Sequence, residues 1–482
     1  MITKEYIQSL INQDVGSEVK RLARVGQNYY DVEHDILKYR IFYFNEDGNL
    51  EEDKLRSNLR IPHGFFTELV DQKVQYMLSD FYITSSIPEL DEQLQDYFDA
   101  DFVAELSDCL TGASIKGFDY MYTYTDDSGK TRFGYADAFG VIEVPAKQSP
   151  DGEDHVIYWY EDVYGIKQKK IKRVECWDKE KRYYYMIDEN QVIMPDPFVQ
   201  FQERPHLLYK KGGRYFTQIS PKDYVPFFRL DNNKRRTSDL KPIKGLIDDY
   251  DLMNCGLSNS IQDMGDGFIA VKGFEGQSLD ELYKNIHGKK TIGVGSKGDV
   301  EIRTVDIPYQ ARKAKLEEDE KNIYRFGMGF NSALVGDGNV TNIVLKSRYV
   351  LLDLKCNKFE KQVQKLLRQF IAIVLEEINQ ENNTAFTQQD VELHMGRVVM
   401  TNALDNAQIA QIEAQTEQTK VNTLLSTAQA LNNSDEVIKA LCEVLELDYS
   451  IVKEGLPEDD NWFQSAQDTA ELIEPEEVIT GA

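Results

Sequence analysis

Cysteine and histidine are scarce in these 482 residues, and neither shows the spacing of a bonded site. The five cysteines (Cys109, Cys176, Cys255, Cys356, Cys442) stand far apart, odd in number and without a Cys-x-x-Cys pair. That excludes a disulfide framework and a zinc knuckle. The six histidines (His34, His63, His155, His206, His287, His394) fall at no metal-ligand interval. No apolar run approaches the roughly 18–20 residues of a membrane span, and the opening MITKEYIQSL has no apolar signal core. Bases are short as well: 55 Lys and Arg against 82 Asp and Glu leave a net charge of −27. A free chain of that charge repels nucleic acid at long range, so a basic groove gripping DNA is disfavoured. These shortages describe a soluble product of a reducing compartment, its cysteines serving as buried structural thiols.

Catalytic signatures are missing too. The stretch GFNSALVGDGNVTNIVLKSRY (329–349) is a small polar loop running into a helical pattern, a layout that can hold phosphate. A P-loop, however, needs GxxxxGK followed by Ser or Thr. Here Gly336 and Gly338 are followed by NVTN, with no lysine before Lys346. GKKT at 288–291 has Tyr283 where the first glycine belongs. No GxSxG elbow is present, and paired carboxylates are expected by chance in so acidic a chain. No catalytic, cofactor-binding or metal residue is assigned, and no cofactor is expected.

What the chain does have is pattern. Hydrophobic content of 41% and aromatic content of 11% suit a folded protein, and its length exceeds what one core usually serves. FFTELVDQKVQYMLS after Pro62 repeats Phe66, Leu69, Val70, Lys73, Val74 and Met77 at helical spacing. From 117 to 230, aromatic and β-branched runs alternate with turn clusters, as in an antiparallel β region. Between 243 and 264, Ile243, Leu246, Ile247, Tyr250, Met253, Leu257, Ile261 and Met264 define one buried helix stripe. The opposite face carries Asp248, Asp249, Asp251 and Asp263. FIAVKGF, KKTIGVG and GDVEIRTVDI read as strands of a module too small for its own core. Pro308 opens a charged helix that ends near Gly327 or Gly329. Leu345, Tyr349, Leu352, Cys356, Phe359, Val363, Leu366, Phe370 and Ile373 then alternate by four and three, the stripe of one long core helix. Two basic clusters, Lys167–Lys169–Lys170–Lys172–Arg173 and Lys234–Arg235–Arg236, read as solvated faces before they read as nucleic-acid contacts. No base follows Lys453, which predicts a disordered acidic tail.

Four segments in order carry a family resemblance: LRIPHGFFTELVDQKVQYMLS (59–79), TSDLKPIKGLIDDYDLMNCGLSNSIQDMGDGFIAVKGFEG (237–276), IYRFGMGF (323–330) and VLKSRYVLLDLKCNKFE (344–360). The chain resembles the portal proteins of tailed bacteriophages, in the branch typical of long-tailed phages of Gram-positive bacteria. The resemblance implies an α+β, multidomain portal fold. Its parts would be a wing at 1–237, a stem helix at 238–265, a small αβ clip at 266–306 and a second stem helix at 307–327. A tunnel loop at 328–341, a long wing helix at 342–381, an α-helical crown at 382–455 and the acidic tail at 456–482 would follow.

The implied function is a non-enzymatic ring of about twelve copies at one capsid vertex. It would be the channel for viral DNA packaging and ejection, the terminase docking site and the head–tail connector platform. Partners implied are double-stranded DNA in the channel, terminase, major capsid and scaffolding proteins, and a head–tail adaptor at the clip; no membrane is involved. The setting would be the virion, and the host cytoplasm during assembly. Val335, Gly336, Asp337, Gly338, Asn339, Val340 and Thr341 would form the loop at the narrowest point, with Lys346 and Arg348 behind it for phosphate contact. Asp248, Asp249, Asp251 and Asp263 are candidates for the channel wall, a solvated outer face being the alternative. Rival readings are another structural virion protein, of tail or capsid, and a nucleotide hydrolase with an unfamiliar loop.

Overall fold

Capping residues fix the first helices. In the computed structural model of the chain, residues 2–398 are described apart from 46–47, 55, 165–168, 189, 207, 212–213, 218–223, 264–267, 275–293, 304–307 and 332–341, together with scattered positions from 411 to 439. Thr3 and Ser17 cap α1 (Lys4–Val15) and α2 (Glu18–Tyr30), each hydroxyl oxygen accepting a first-turn amide at 3.3 Å. A hairpin, β1 (Phe42–Phe44) with β2 (Leu50–Glu52), precedes α3 (Phe65–Leu78). β3 (Asp80–Thr84), α4 (Pro88–Tyr97) and α5 (Ala100–Lys116) follow. Gly117 ends α5 at φ 97°, a left-handed stop that costs other residues more than glycine.

The aromatic middle of the chain folds into antiparallel sheets, as its alternation implies. β4 (Phe118–Thr125) lies between β5 (Thr131–Ala136) and β14 (Phe227–Asp231). A second sheet runs in the order β10 (Ile193–Pro195), β9 (Lys181–Ile187), β8 (Lys169–Trp177), β7 (His155–Tyr164), β6 (Val141–Val144), with β11 (Glu203–Pro205) also on β9. β12 (Leu208–Lys211) and β13 (Arg214–Thr217) make a separate hairpin. Trp177, 1% exposed, packs edge-on to Tyr122 and Phe227 and so joins the two sheets. Ile7 and Ile11 of α1 close the far side of the larger sheet over Ile157 and Val174. Two members of the basic cluster, Arg173 and Lys172, are engaged within this sheet, while Lys170 is exposed and Lys167 lies outside the described residues. Arg173 bonds Asp162 at 2.6 Å and Asp196 at 2.9 Å, and Lys172 stands over the Trp159 ring.

Downstream, α6 (Lys244–Asp263) and α7 (Tyr309–Gly327) bracket an antiparallel ribbon of β15 (Phe268–Phe274) and β16 (Val294–Arg303). The two strands expected at KKTIGVG and GDVEIRTVDI are one where described, because β16 runs straight through Gly298. Contacts between the helices run in opposite order, Ser260 to Arg312 at 3.2 Å and then Asp249 to Lys315 at 2.7 Å, so they pack antiparallel. α8 (Asn342–Asn382) has 41 residues, about 60 Å at 1.5 Å per residue.

The long-helix stripe is core. Leu352, Cys356, Phe359, Val363, Leu366 and Phe370 are buried against α3, α5 and the β4 sheet, with Phe370 packed on Phe102, Phe133 and Phe228. Each such side chain contributes about 1.5–3 kcal/mol. Tyr349 and Ile373 are only partly buried.

β17 (Glu392–Gly396) returns to pair with β3, Glu392 opposite Thr84. The chain divides into one compact unit, Met1–Gly338 with Lys346–Val399, and a second, Asn339–Leu345 with Met400–Ala482. Residues 400–482 of that unit lie almost entirely outside the described residues, and with them most of the expected crown (382–455) and the acidic tail (456–482).

Candidate functional site

The acidic face of α6 is occupied by its own chain. Residues 57–63 run along it as an extended strap, and alternate amides of the strap donate to side chains one helical turn apart. The Ser57 amide reaches Asp263 Oδ1 at 3.2 Å, Leu59 reaches Asn259 Oδ1 at 2.8 Å, Ile61 reaches Cys255 Sγ at 3.2 Å, and His63 reaches Asp251 Oδ1 at 3.0 Å. Two extended residues advance about 6.6 Å and four helical residues about 6 Å, so the two repeats stay in step over this length. Asp251 is fully buried and also accepts from His63 Nδ1 at 2.7 Å and His34 Nδ1 at 2.6 Å. The second nitrogen of His34 faces the Tyr29 carbonyl at 3.2 Å, so the buried ring is held between Asp251 and that carbonyl. Burial works against ionising Asp251, but the hydrogen bonds from His34 and His63 outweigh it and hold the carboxyl below its ordinary range.

This corrects the expectation for the helix. The fully buried positions of α6 are Ile247, Asp251 and Cys255, with Leu246 and Tyr250 partly buried on the core; Ile261 is 58% exposed, and Met264 lies outside the described residues. The Asp251 carboxylate is enclosed and has no free face, while Asp263 accepts the Ser57 amide and stays exposed. Asp248 bonds Tyr29 Oη and Lys244, and Asp249 pairs with Lys315; both stay partly exposed.

A second polar centre ties the ends of these helices to the wing. Lys73, on the apolar stripe of α3, is 1% exposed and donates to Ser114 at 2.9 Å, Asn232 at 2.8 Å and Asp239 at 3.0 Å. Its Nζ also lies 3.8 Å from the Phe359 ring centroid. Lys355 of α8 bridges Asp239 at 3.2 Å and the Gly327 carbonyl at 2.9 Å. Burial would raise the Asp239 carboxyl, but Lys355 and Lys73 outweigh it and hold it far below the carboxylate range. One aspartate thus joins α3, α5, the start of α6, the end of α7 and α8. A cleft of about 540 Å³ opens beside it, lined by Lys241, Phe326, Lys355 and Lys358 among others. Sequence reasoning placed Lys73 on the stripe without assigning it a role. A lysine at a core position was the signal.

The glycine-rich loop itself, Val335 to Thr341, lies outside the described residues. Its near side is described. α7 ends at Met328 with φ 55°, a left-handed stop on a residue that pays for it, and Gly329 N closes on Tyr324 O at 3.0 Å. Past the loop, Lys346 falls in the first turns of α8, and Arg348 is half-buried with Nη1 enclosed and unpartnered among the described residues. The structure therefore brings Asp248, Asp249, Asp251 and Asp263 onto one helix and sets Lys346 and Arg348 on another. Among the described residues no cluster of His, Cys, Asp and Glu could hold a metal ion, and no helix is long and apolar enough to cross a membrane.

Comparison with known proteins gives one consistent result. The family model described as phage portal protein, SPP1 Gp6-like, matches residues 13–446. A portal protein of Bacillus phage SPP1 is 28% identical over 374 residues, covering 77% of this chain and 72% of that protein. A portal protein of Clostridium phage phiCD119 is 25% identical over 431 residues, covering 84% of this chain and 88% of that one.

Proposed function

The chain belongs to the phage portal protein family, a structural head–tail connector of the virion capsid, and from that premise we propose how its parts work. About twelve copies form a closed ring at one capsid vertex, and viral DNA passes through the bore during packaging and ejection. α6 and α7 are the stem, the β15–β16 ribbon belongs to the clip, and α8 with the sheets is the wing. Residues 335–341 are the tunnel loop, with Lys346 and Arg348 behind it for passing phosphates. Of the acidic stem residues, the solvent-reaching Asp248, Asp249 and Asp263 stay candidates for the channel wall. About twelve chains of −27 each place roughly 300 negative charges in the ring, so DNA slides rather than sticks. Terminase supplies the motor chemistry, and an adaptor docks on the clip. Capsid and scaffolding proteins meet the ring during assembly in the host cytoplasm, and the ring itself catalyses nothing.

The observation that carries this reading is the family match across 13–446 together with the order helix, ribbon, helix, loop, long helix in the fold. Negative-stain electron microscopy with class averaging tests it. Closed rings of about twelve or thirteen subunits around an open channel are expected. Filaments or dimers at every concentration tried would refute it.

A further inference from the structure

The β1–β2 hairpin holds an apolar face open to solvent. Every ladder residue of both strands is exposed. Pairing Phe42 with Glu52 and Phe44 with Leu50 sets Phe42, Phe44 and Leu50 on one face and Tyr43 and Glu51 on the other. Phe44 is 75% exposed, Leu50 60% and Phe42 53%. A two-stranded hairpin alone is marginally stable in water, and adjoining exposed apolar side chains mark a contact surface.

The hairpin has a definite place on the stem. Its flanking residues lean on the strap, Asn58 Nδ2 donating to the Tyr39 carbonyl at 3.4 Å and Arg60 to the Leu37 carbonyl at 3.2 Å. The strap is pinned to Asp263, so the hairpin springs from the ribbon end of α6. At that same end the stem exposes Ile261 and Tyr309, at 58% and 49%. Ile261 is two residues from both Asn259 and Asp263, about 200° of helical turn, and therefore faces away from the strap and its hairpin.

The hairpin face and Ile261 thus stand on opposite flanks of the stem at one end, where Tyr309 is exposed as well. A closed ring needs such a heterologous pair, with both halves at the same level, because rotation about the ring axis adds no rise.

We propose that the Phe42–Phe44–Leu50 face of one subunit packs on Ile261 and Tyr309 of the next copy of this chain, closing the ring at the ribbon end of the stem. The inference rests on the ring reading above and names the surface that makes it. It is tested with full-length single variants Phe44→Cys and Ile261→Cys, mixed, assembled and mildly oxidised. A dimer band on a non-reducing gel is expected from the mixture and from neither variant alone, since four of the native cysteines are buried. Phe44→Ser with Leu50→Ser should raise the concentration for half-assembly at least tenfold, while the circular dichroism of the free chain stays unchanged. Rings without the mixed band, with assembly of the serine variant unaltered, overturn the hairpin contact and leave the portal reading standing. A wild-type chain that forms no ring overturns both.

Discussion

Replacing Asp251 with alanine should release the strap while leaving the rest of the wing folded. The carboxylate accepts from the His34 ring and from the His63 ring and amide. Leaving a buried hydrogen-bonding group without its partner costs about 1–3 kcal/mol, and Asp251→Ala strips the partner from three of them. At about 1.4 kcal/mol per factor of ten, the strap amides of Leu59, Ile61 and His63 should exchange with deuterium at least a hundredfold faster. Asp249→Ala is the matched control, since its ion pair with Lys315 is partly exposed and such pairs are worth about 0–1 kcal/mol. The pH dependence has a defined sign. The folded carboxyl of Asp251 titrates below the ordinary carboxylate range, so its contribution is complete above that range and lost as pH falls through the folded value. Strap exchange should therefore quicken in acid in the wild type and lose that acid limb in Asp251→Ala. Unchanged exchange at 57–63 in Asp251→Ala, with α3 as internal reference, would refute the strap as an element held by this aspartate.

The remaining predictions concern the junctions. Lys73→Met should lower thermal stability by about 2–3 kcal/mol, less than a full pair loss because Asp239 keeps Lys355; a neutral result in calorimetry would show that the centre is not cooperative. Gly26→Ala should cost more than about 2 kcal/mol, since a Cβ there would overlap the Ile115 carbonyl where α2 crosses α5; urea unfolding reads it. Met328→Gly should gain about 1 kcal/mol by relieving the left-handed stop at φ 55°, visible as a raised melting temperature. Deleting Val335 to Asn339 should leave ring formation intact by electron microscopy and impair DNA packaging or retention; loss of assembly would make the loop a packing element.

The long helix was legible in the sequence because its stripe does one thing along its length. Leu352 to Phe370 alternate by four and three, and each member meets the same core. The stem helix was not legible in that way, because two requirements share it. Its apolar positions anticipate burial as far as Met264, yet burial stops at Cys255 and passes to the polar ridge Asp251–Cys255–Asn259–Asp263. Nothing in the helix sequence distinguishes an aspartate facing water from one receiving a backbone amide. The discriminating feature lies 200 residues away, in an extended segment whose amides need acceptors and whose own composition is unremarkable.

The same reasoning separates the two halves of the candidate site. Periodicity can assign a helix, and a glycine-rich gap can assign a loop, so the order of elements from α6 to α8 follows from the sequence. Which acidic residues are free to meet DNA depends on side-chain partners that no period encodes. Four aspartates that look equivalent divide into Asp251, enclosed between two imidazole rings; Asp263, exposed while accepting a strap amide; and Asp248 and Asp249, each beside a lysine. If α6 lines the channel as proposed, its wall presents mostly paired carboxylates, and the repulsion of DNA rests on the summed charge of the ring more than on any one acidic face.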